Sequence, residues 1–262
     1  MFEDDVEAAL RDLPLGGLRV FQSLGSTNDE ALRWASDGAA DLSLVVADEQ
    51  TAGRGRGQRR WYTPRGTALA LSLILRSFDV DQTPPGRLAG LGALAICSAC
   101  EALGLQPAVK WPNDVLLDGK KVAGVLVETV WNGNVLRAAV VGLGVNVLDA
   151  PIPTQGRLLF PATSIAASHG RAVDRMSLLR ALVEYLLAWR PRLHSADFLR
   201  AWEDRLAFRG EEVVLTREGQ EPIAATLLGL ESDGSLRLEY RQASLIVPMG
   251  EIHLRTTNDR MG

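Results

Sequence analysis

Cysteine, histidine and lysine are all scarce in this chain, and each scarcity excludes something. There are two cysteines and three histidines. Cys97 and Cys100 stand three apart in an apolar helical segment, and His169, His194 and His253 are scattered. A C-x-x-C without a second pair reads as two buried small residues rather than a zinc or redox centre. No metal-ligating set is therefore expected from the protein's own side chains. No stretch reaches the roughly 18 apolar residues that a membrane span requires. The N-terminal MFEDDVEAALRDL is acidic and amphipathic, without the basic n-region and long apolar core of a signal peptide. A cytoplasmic protein that stays off the membrane is expected. A net charge of −4 gives no global basic surface for nucleic acid. The phosphate-cradling P-loop and the G-x-S-x-G nucleophile elbow are also missing.

Lysine is where scarcity becomes informative. Of 28 basic residues only Lys110, Lys120 and Lys121 are lysines, and all three lie in VKWPNDVLLDGKKVAGVLVE, residues 109–128. A chain that elsewhere uses arginine keeps here a compact, flexible point charge that a planar guanidinium does not imitate. The stretch reads as strand, polar turn, strand. Asn113 and Asp114 follow a Trp-Pro pair, Asp118-Gly119 makes a tight turn, and Val122–Glu128 is a buried strand interrupted by Gly124. Glycine within a strand marks a bulge or a close approach by a ligand or another backbone. With cationic and amide groups gathered at one end, the stretch suits holding an anion.

A second anion-friendly segment precedes it. After the buried strand Leu42–Glu49 comes QTAGRGRGQRRW, and six arginines with no acidic residue lie between Glu49 and Asp79. The loop is expected to be flexible and cationic, its glycines letting backbone N–H groups approach an anion. It is not a dinucleotide fingerprint, because Pro64 and Trp61-Tyr62 fall where the helix should run. Gly90-Leu91-Gly92-Ala93-Leu94-Ala95 matches G-x-G-x-x-A, but inside the apolar helix expected over Gly86–Leu103. Upstream, Ser26-Thr27-Asn28 opens a helix running to about Asp37, and Thr27 and Glu30 have capping-box spacing. The triplet therefore reads as an N-cap, as a set of hydroxyl and amide groups for a polar ligand, or as both.

The rest is scaffold. A helix is expected over 3–12, strands over 18–24, 67–76 and 135–147, and a type I′ hairpin turn at Asn132-Gly133. A Pro-rich connection covers 149–163, followed by helices at 164–168, 174–189 and 195–206. From Phe208 short strands at 212–216, 224–230, 236–240 and 245–247 read as a small barrel of about five strands. That unit carries six basic and nine acidic residues, which does not suit nucleic acid. Two anion-friendly loops on an α/β body suit joining two anions, since fixed cations offset the like-charge repulsion and a closing loop shields a reactive anhydride. The residues alone stop at a small anionic substrate bound with a nucleotide.

Taken together, these motifs resemble the biotin protein ligases. The matching runs are Ser26-Thr27-Asn28, Gln50-Thr51-Ala52-Gly53-Arg54-Gly55-Arg56 with Trp61, Lys110-Trp111-Pro112-Asn113-Asp114, Lys121-Val122-Ala123-Gly124-Val125-Leu126-Val127-Glu128, and Gly142-Leu143-Gly144-Val145-Asn146. They stand in family order and spacing over residues 20–147, with PMGEIHLR at 248–255 matching again. The resemblance implies an α+β fold: a mixed-sheet, class II synthetase-like catalytic domain over 1–207 and a C-terminal SH3-like β-barrel over 208–262. It implies that biotin and ATP, with Mg2+ accompanying the nucleotide, give biotinyl-5′-AMP and pyrophosphate. A lysine of a biotin carboxyl carrier domain then takes the biotin. Carried over by position, Ser26, Thr27, Asn28, Gln50, Gly53 and Arg54 surround biotin, with Gly124 beneath its rings. Gly55 and Arg56 belong to the loop over the adenylate and also bind biotin, Arg56 serving ATP and catalysis as well. Lys121 meets the biotin carboxylate and α-phosphate as the main catalytic group, and Asp114 orients or deprotonates the incoming amine. Lys110, Asn113 and Asn146 serve ATP, Trp61 stacks on adenine, and Arg255 reaches the nucleotide from the barrel. No residue is expected to be a dedicated metal ligand.

Two departures from the family pattern matter. The family often continues its loop with glycine after a variable residue, whereas here the order is Gly57-Gln58. About 20 residues precede the first family strand, too few for the helix-turn-helix of the family's repressors. A monofunctional enzyme without DNA binding is expected. The alternatives are a lipoate or octanoate ligase on the same fold, whose loops resemble Arg-Arg-X-Gly-Gly-Gly and Gly-Arg-Asn-Asp, and a biotin-binding regulator with little catalysis. Both a monomer and a homodimer occur among the proteins it resembles.

Overall fold

The computed structural model describes residues 1–57, 59–76, 85–150, 161–217, 221–249 and 252–256, with the backbone alone for Pro85, Arg217 and 252–256. Seven strands make one sheet: β1 (Gly17–Leu24), β2 (Ser43–Gln50), β3 (Ala68–Leu75), β4 (Pro107–Lys110), β5 (Asp114–Leu117), β6 (Lys120–Asn132) and β7 (Val135–Asn146). Their order is β1-β2-β3-β7-β6-β5-β4. β1 and β2 run parallel, with a helical crossover between them, and every other neighbouring pair is antiparallel. The helices are α1 (Phe2–Leu10), α2 (Thr27–Ser36), α3 (Pro85–Ala102), α4 (Ile165–His169), α5 (Arg175–Trp189) and α6 (Ala196–Glu203). The mixed α+β body expected from the sequence is what forms.

Strand periodicity divides the core into two faces. On β7, Val141, Leu143 and Val145 join the main core, while Ala138 and Val140 pack on the opposite face with Ala31 and Ala35 of α2. Helix α3 covers the main face and is buried from Gly86 to Cys100. Gly90 and Gly92, the glycines of its G-x-G-x-x-A run, are packing devices rather than a nucleotide loop. A Cβ at Gly92 would press on Val125 and Val141, and one at Gly90 on the Trp202 ring. Cys97 and Cys100 are free and fully buried in the same helix, as the lone C-x-x-C implies. Burial pushes the Cys100 thiol up to about 12.

Turn chemistry fixes the hairpins, with one exchange of roles. Asp118-Gly119 links β5 to β6 with positive φ at both residues, 50° and 71°, the type I′ pattern. At the β6–β7 turn the expectation fails, since Asn132 is still paired with Val135 and the loop is Gly133-Asn134. Positive φ occurs there at Gly133 alone, 57°, as in a type II′ turn with glycine first.

The last strands, β8 (Glu212–Arg217), β9 (Ile223–Leu230), β10 (Leu236–Tyr240), β11 (Ala243–Val247) and β12 (Ile252–Thr256), form a separate antiparallel sheet in the order β11-β10-β9-β8-β12. Polar ties hold it to the body. Arg87 of α3 donates from Nε to the Ser232 carbonyl at 2.7 Å, and Trp111 Nε1 donates to the Gly234 carbonyl at 3.0 Å. Among the described residues no helix is long and apolar enough to cross a membrane.

Candidate functional site

The site lies on the α2 face of the sheet, past the N-terminal end of that helix. Ser26 is the N-cap of α2 with extended backbone, but no side chain caps the helix. The capping-box reading of Thr27 and Glu30 is therefore corrected: Thr27 is already helical, and Glu30 pairs with Arg19 and Arg33. The polar groups of Thr27 and Asn28 are turned into a buried network instead. Thr27 donates from its amide N–H at 2.8 Å and its hydroxyl at 3.1 Å to Gln50 Oε1. Gln50 Nε2 donates to Thr63 Oγ1 at 3.2 Å. Ser72 of β3 donates to Asn28 Oδ1 at 2.6 Å, and Asn28 Nδ2 donates to Leu126 O at 3.2 Å and Glu128 Oε2 at 2.8 Å. Burying these groups is tolerable because each finds a partner.

The glycine-arginine segment is a small hairpin rather than an open loop. The Gly55 N–H donates to Arg59 O at 2.7 Å, the Trp61 N–H donates to Gly53 O at 2.9 Å, and Arg54 and Arg60 face each other across it. Gly53 permits the close approach, since a Cβ there would fall inside 3.0 Å of the Trp61 carbonyl. Gly57 supplies the left-handed turn residue, φ 59°; Gln58 lies outside the described residues. Arg54 grips Glu128 with both Nη groups, at 2.8 and 2.7 Å, and also meets Asp29 at 2.6 Å. The Glu128 carboxylate holds the Arg54 guanidinium above its ordinary pKa. Arg56 reaches across to Asn113 Oδ1 at 3.2 Å, joining the two anion-friendly segments.

The lysine stretch supplies the far wall. Lys121 Nζ sits 2.6 Å from Asp114 Oδ1 and 5.3 Å from the centroid of the Trp61 ring. Asn113 Nδ2 donates to the Val125 carbonyl at 2.7 Å, and Lys110 is paired in register with Asp114. Asn146 Nδ2 donates to Thr163 O at 3.1 Å, and the Thr163 N–H returns to Lys121 O at 2.9 Å. Residues 161–163 thus lie beside Lys121; residues 151–160 of the expected connection fall outside the described residues. Arg255 falls on β12 opposite Val214, and its side chain is outside the described set.

Beneath these groups is a floor with no Cβ atoms. Gly142 and Gly144 share one face of β7, and Gly124 is the partner of Gly144 on β6. Each bears a functional side chain. A Cβ on Gly142 would strike Asn28, one on Gly144 the Trp61 indole, and one on Gly124 would lie 3.3 Å from Lys121 Nζ and 3.5 Å from Asp114 Oδ1. Sequence reasoning singled out Gly124 but gave no role to Gly142, Gly144, Ser72, Thr63 or Glu128. The signal for the first two was on the page: glycines two apart in a strand stand on one face. Among the described residues no group of three or more His, Cys, Asp or Glu gathers to hold a metal ion.

Residues 20–146 match the family model described as the biotin/lipoate A/B protein ligase family. A biotin–[acetyl-CoA-carboxylase] ligase from Paracoccus denitrificans is 35% identical over 239 residues, 87% of this chain and 96% of that protein. The bifunctional ligase/repressor BirA of Bacillus subtilis is 35% identical over 184 residues, 69% of this chain, and the match spans 56% of the BirA length. Among solved structures, the biotin protein ligase from Aquifex aeolicus in complex with biotin and ATP superposes with a TM-score of 0.79 at 28% identity. That match covers 92% of this chain and 99% of the other.

Proposed function

The chain belongs to the biotin/lipoate A/B protein ligase family, and from that premise we propose that it activates biotin with ATP to biotinyl-5′-AMP and then biotinylates a lysine of a biotin carboxyl carrier domain. The observation that carries this reading is the meeting of Lys121 and Trp61 over the Gly124–Gly144 floor, with Arg56 bonded to the neighbouring Asn113. The biotin specificity is supported by the name of the Paracoccus relative and the ligands of the Aquifex structure.

In the first step a biotin carboxylate oxygen bonds to the α-phosphorus, and the bond to the bridging oxygen breaks as pyrophosphate leaves. Two unit anions 4 Å apart repel by about 1 kcal/mol in water and about 4 kcal/mol near a protein surface. Lys121 offsets that repulsion, exchanging its bond to Asp114 for the carboxylate–phosphate junction. Arg56 adds a second cation, Trp61 stacks on the adenine, and Lys110, Asn113 and Asn146 face the nucleotide. Thr27, Gln50 and Ser26 line the biotin end. Mg2+ arrives with ATP. A hard cation that keeps phosphate and water ligands needs few protein oxygens; the carboxamide oxygens of Asn113 and Asn146 would hold it, and it would supply charge neutralisation at the phosphates. In the second step the carrier amine attacks the anhydride carbonyl, AMP leaves, and Asp114, released by Lys121, accepts the amine proton. The hairpin over 53–61 keeps water from the anhydride.

The division into a catalytic domain over 1–207 and an SH3-like barrel over 208–262, with Arg255 reaching the nucleotide, belongs to the same proposal. So do a cytoplasmic location, a homodimeric option and a function that does not involve nucleic acid. The test is biotin-dependent ATP–pyrophosphate exchange with lipoate as control. Exchange with biotin and not lipoate is expected; the reverse would sink the reading.

A further inference from the structure

The carboxamide of Asn28 is fully occupied inside the protein. It accepts from Ser72 and donates to Leu126 O and Glu128 Oε2, and the residue is 4% exposed. A carboxamide has two N–H donors, and both are used. The Ser72 hydroxyl lies 2.6 Å from the Asn28 carbonyl oxygen and 2.8 Å from Thr27 Oγ1, and the two Nδ2 donations to Leu126 O and Glu128 Oε2 fix the amide's orientation. The sheet makes room for this arrangement at Gly142, where a Cβ would fall inside 3.0 Å of Asn28 Oδ1 and Cγ. The effort is directed at Glu128, whose Oε2 takes the Asn28 N–H. Each oxygen of Glu128 also takes one Nη of Arg54, the parallel fork that fixes a guanidinium in a plane. Arg54 in turn faces Arg60 across the hairpin that stands over Lys121 and Gly144.

From this chain of contacts we infer that Asn28 and Glu128 are positioning residues: they hold Arg54, and through it the glycine-arginine hairpin, against the biotin end of the site. The inference rests on the proposed function for naming biotin as the ligand. It changes the expected role of Asn28 from a direct biotin contact to a group acting through Glu128. It also gives a role to Glu128, the last residue of the lysine stretch. The charged groups facing the guanidinium are Glu128 and Asp29. Asp29 is the more exposed of the two and makes a single contact, so it adds charge without fixing the plane.

A double-mutant cycle tests this. Biotin is titrated calorimetrically into the full chain and into E128Q, R54Q and R54Q/E128Q, with thermal midpoints measured in parallel. Gln keeps the size of Glu128 but removes its charge and presents an N–H to the guanidinium. E128Q is expected to bind biotin about tenfold more weakly, a loss of about 1.4 kcal/mol, with little change in midpoint, and Glu128→Asp should recover part of the loss. The double variant should bind no worse than R54Q alone. Losses that multiply in the double variant, or an E128Q that binds biotin normally, would overturn the inference. Tryptic cleavage after Arg54 in the ligand-free chain reads the same relay without biotin. Asn28→Ser should speed it severalfold, and an unchanged rate counts against the relay. If the unmodified chain binds no biotin, the proposed function fails; if it binds biotin and the cycle is additive, only the relay fails.

Discussion

Gly144→Ala is the most direct probe of the glycine floor. A Cβ at this position would lie 3.0 Å from Trp61 Cδ1 and closer still to Nε1 and Cε2. Carbon contacts are favourable at about 3.5–4.0 Å, so the indole must move by roughly 1 Å, and a rigid ring has no flexible end that can swing aside. Overpacking of this kind costs about 1–3 kcal/mol. Trp61 sits on a surface hairpin that can lift, which places the cost near the lower half, about 1–2 kcal/mol, or about 2–8 °C in thermal midpoint for a chain of this size. The functional cost should exceed the structural one. The ring is the proposed adenine platform, and Lys121 Nζ lies 5.3 Å from its centroid. We expect the KM for ATP in the exchange assay to rise about tenfold, with the KM for biotin nearly unchanged. Trp61→Ala supplies the control. With the indole gone the added methyl meets none of the ring atoms, so Gly144→Ala should cost little further stability in that background. An equal loss of midpoint in both backgrounds, or an unchanged KM for ATP, would refute the reasoning.

Lys121→Ala should lower adenylation by several orders of magnitude while the fold survives, because on the proposed function its charge acts mainly in the transition state. A near-normal single-turnover rate would remove Lys121 from the mechanism. Asp12→Asn probes the docking of α1 on α5, where Arg180 forks onto Asp12 at 2.7 and 2.9 Å. That bond pulls the Asp12 carboxyl down from 3.8 to about 2. A depressed carboxylate stabilises the fold above its unfolded pKa, and that contribution is lost as pH falls through the folded value. The midpoint difference between the two proteins should therefore be constant at neutral pH and vanish by about pH 2; a difference that grows on acidification would contradict it. A thiol reagent at pH 8 should label neither Cys97 nor Cys100 until the chain is denatured, since burial raises both thiols above their ordinary pKa. Rapid labelling of the native chain would show that α3 is not packed as described.

Most of the fold was legible because hydrophobic periodicity is local. The apolar run of α3, the buried strands β2 and β3 and the stripe on α5 each signal their own burial. Turn chemistry was legible at Asp118-Gly119 and illegible at Arg241-Gln242, which links β10 to β11 with positive φ, 51° and 63°, on two residues that do not advertise it. The site was legible as motifs but not as contacts. Nothing local says that Asn28 will meet Ser72 and Glu128, 44 and 100 residues away in the chain. Those partners follow from the order β3-β7-β6 beneath α2, a non-local pairing that no window of sequence contains. The capping-box reading of Thr27 failed for the same reason, because a local partner was available and a tertiary one won.

The resulting arrangement has a consequence for how the site binds its ligands. Three cations of the candidate site have protein partners: Lys121 has Asp114, Arg54 has Glu128 and Asp29, and Arg56 has Asn113. A carboxylate or phosphate arriving at Lys121 therefore exchanges one anion for another rather than filling an unpaired charge. Binding is weakened by the strength of the pair it replaces. On the proposed function, Asp114 loses its cation when Lys121 turns to the adenylate and is then free to face the carrier amine. On that proposal the Lys121–Asp114 contact couples the two steps. Under the same proposal, forming the adenylate arms the base that the second step needs, and Asp114→Asn should slow transfer to the carrier more than it slows adenylation. Pre-formed biotinyl-5′-AMP supplied to that variant separates the two rates, and equal loss in both would break the coupling.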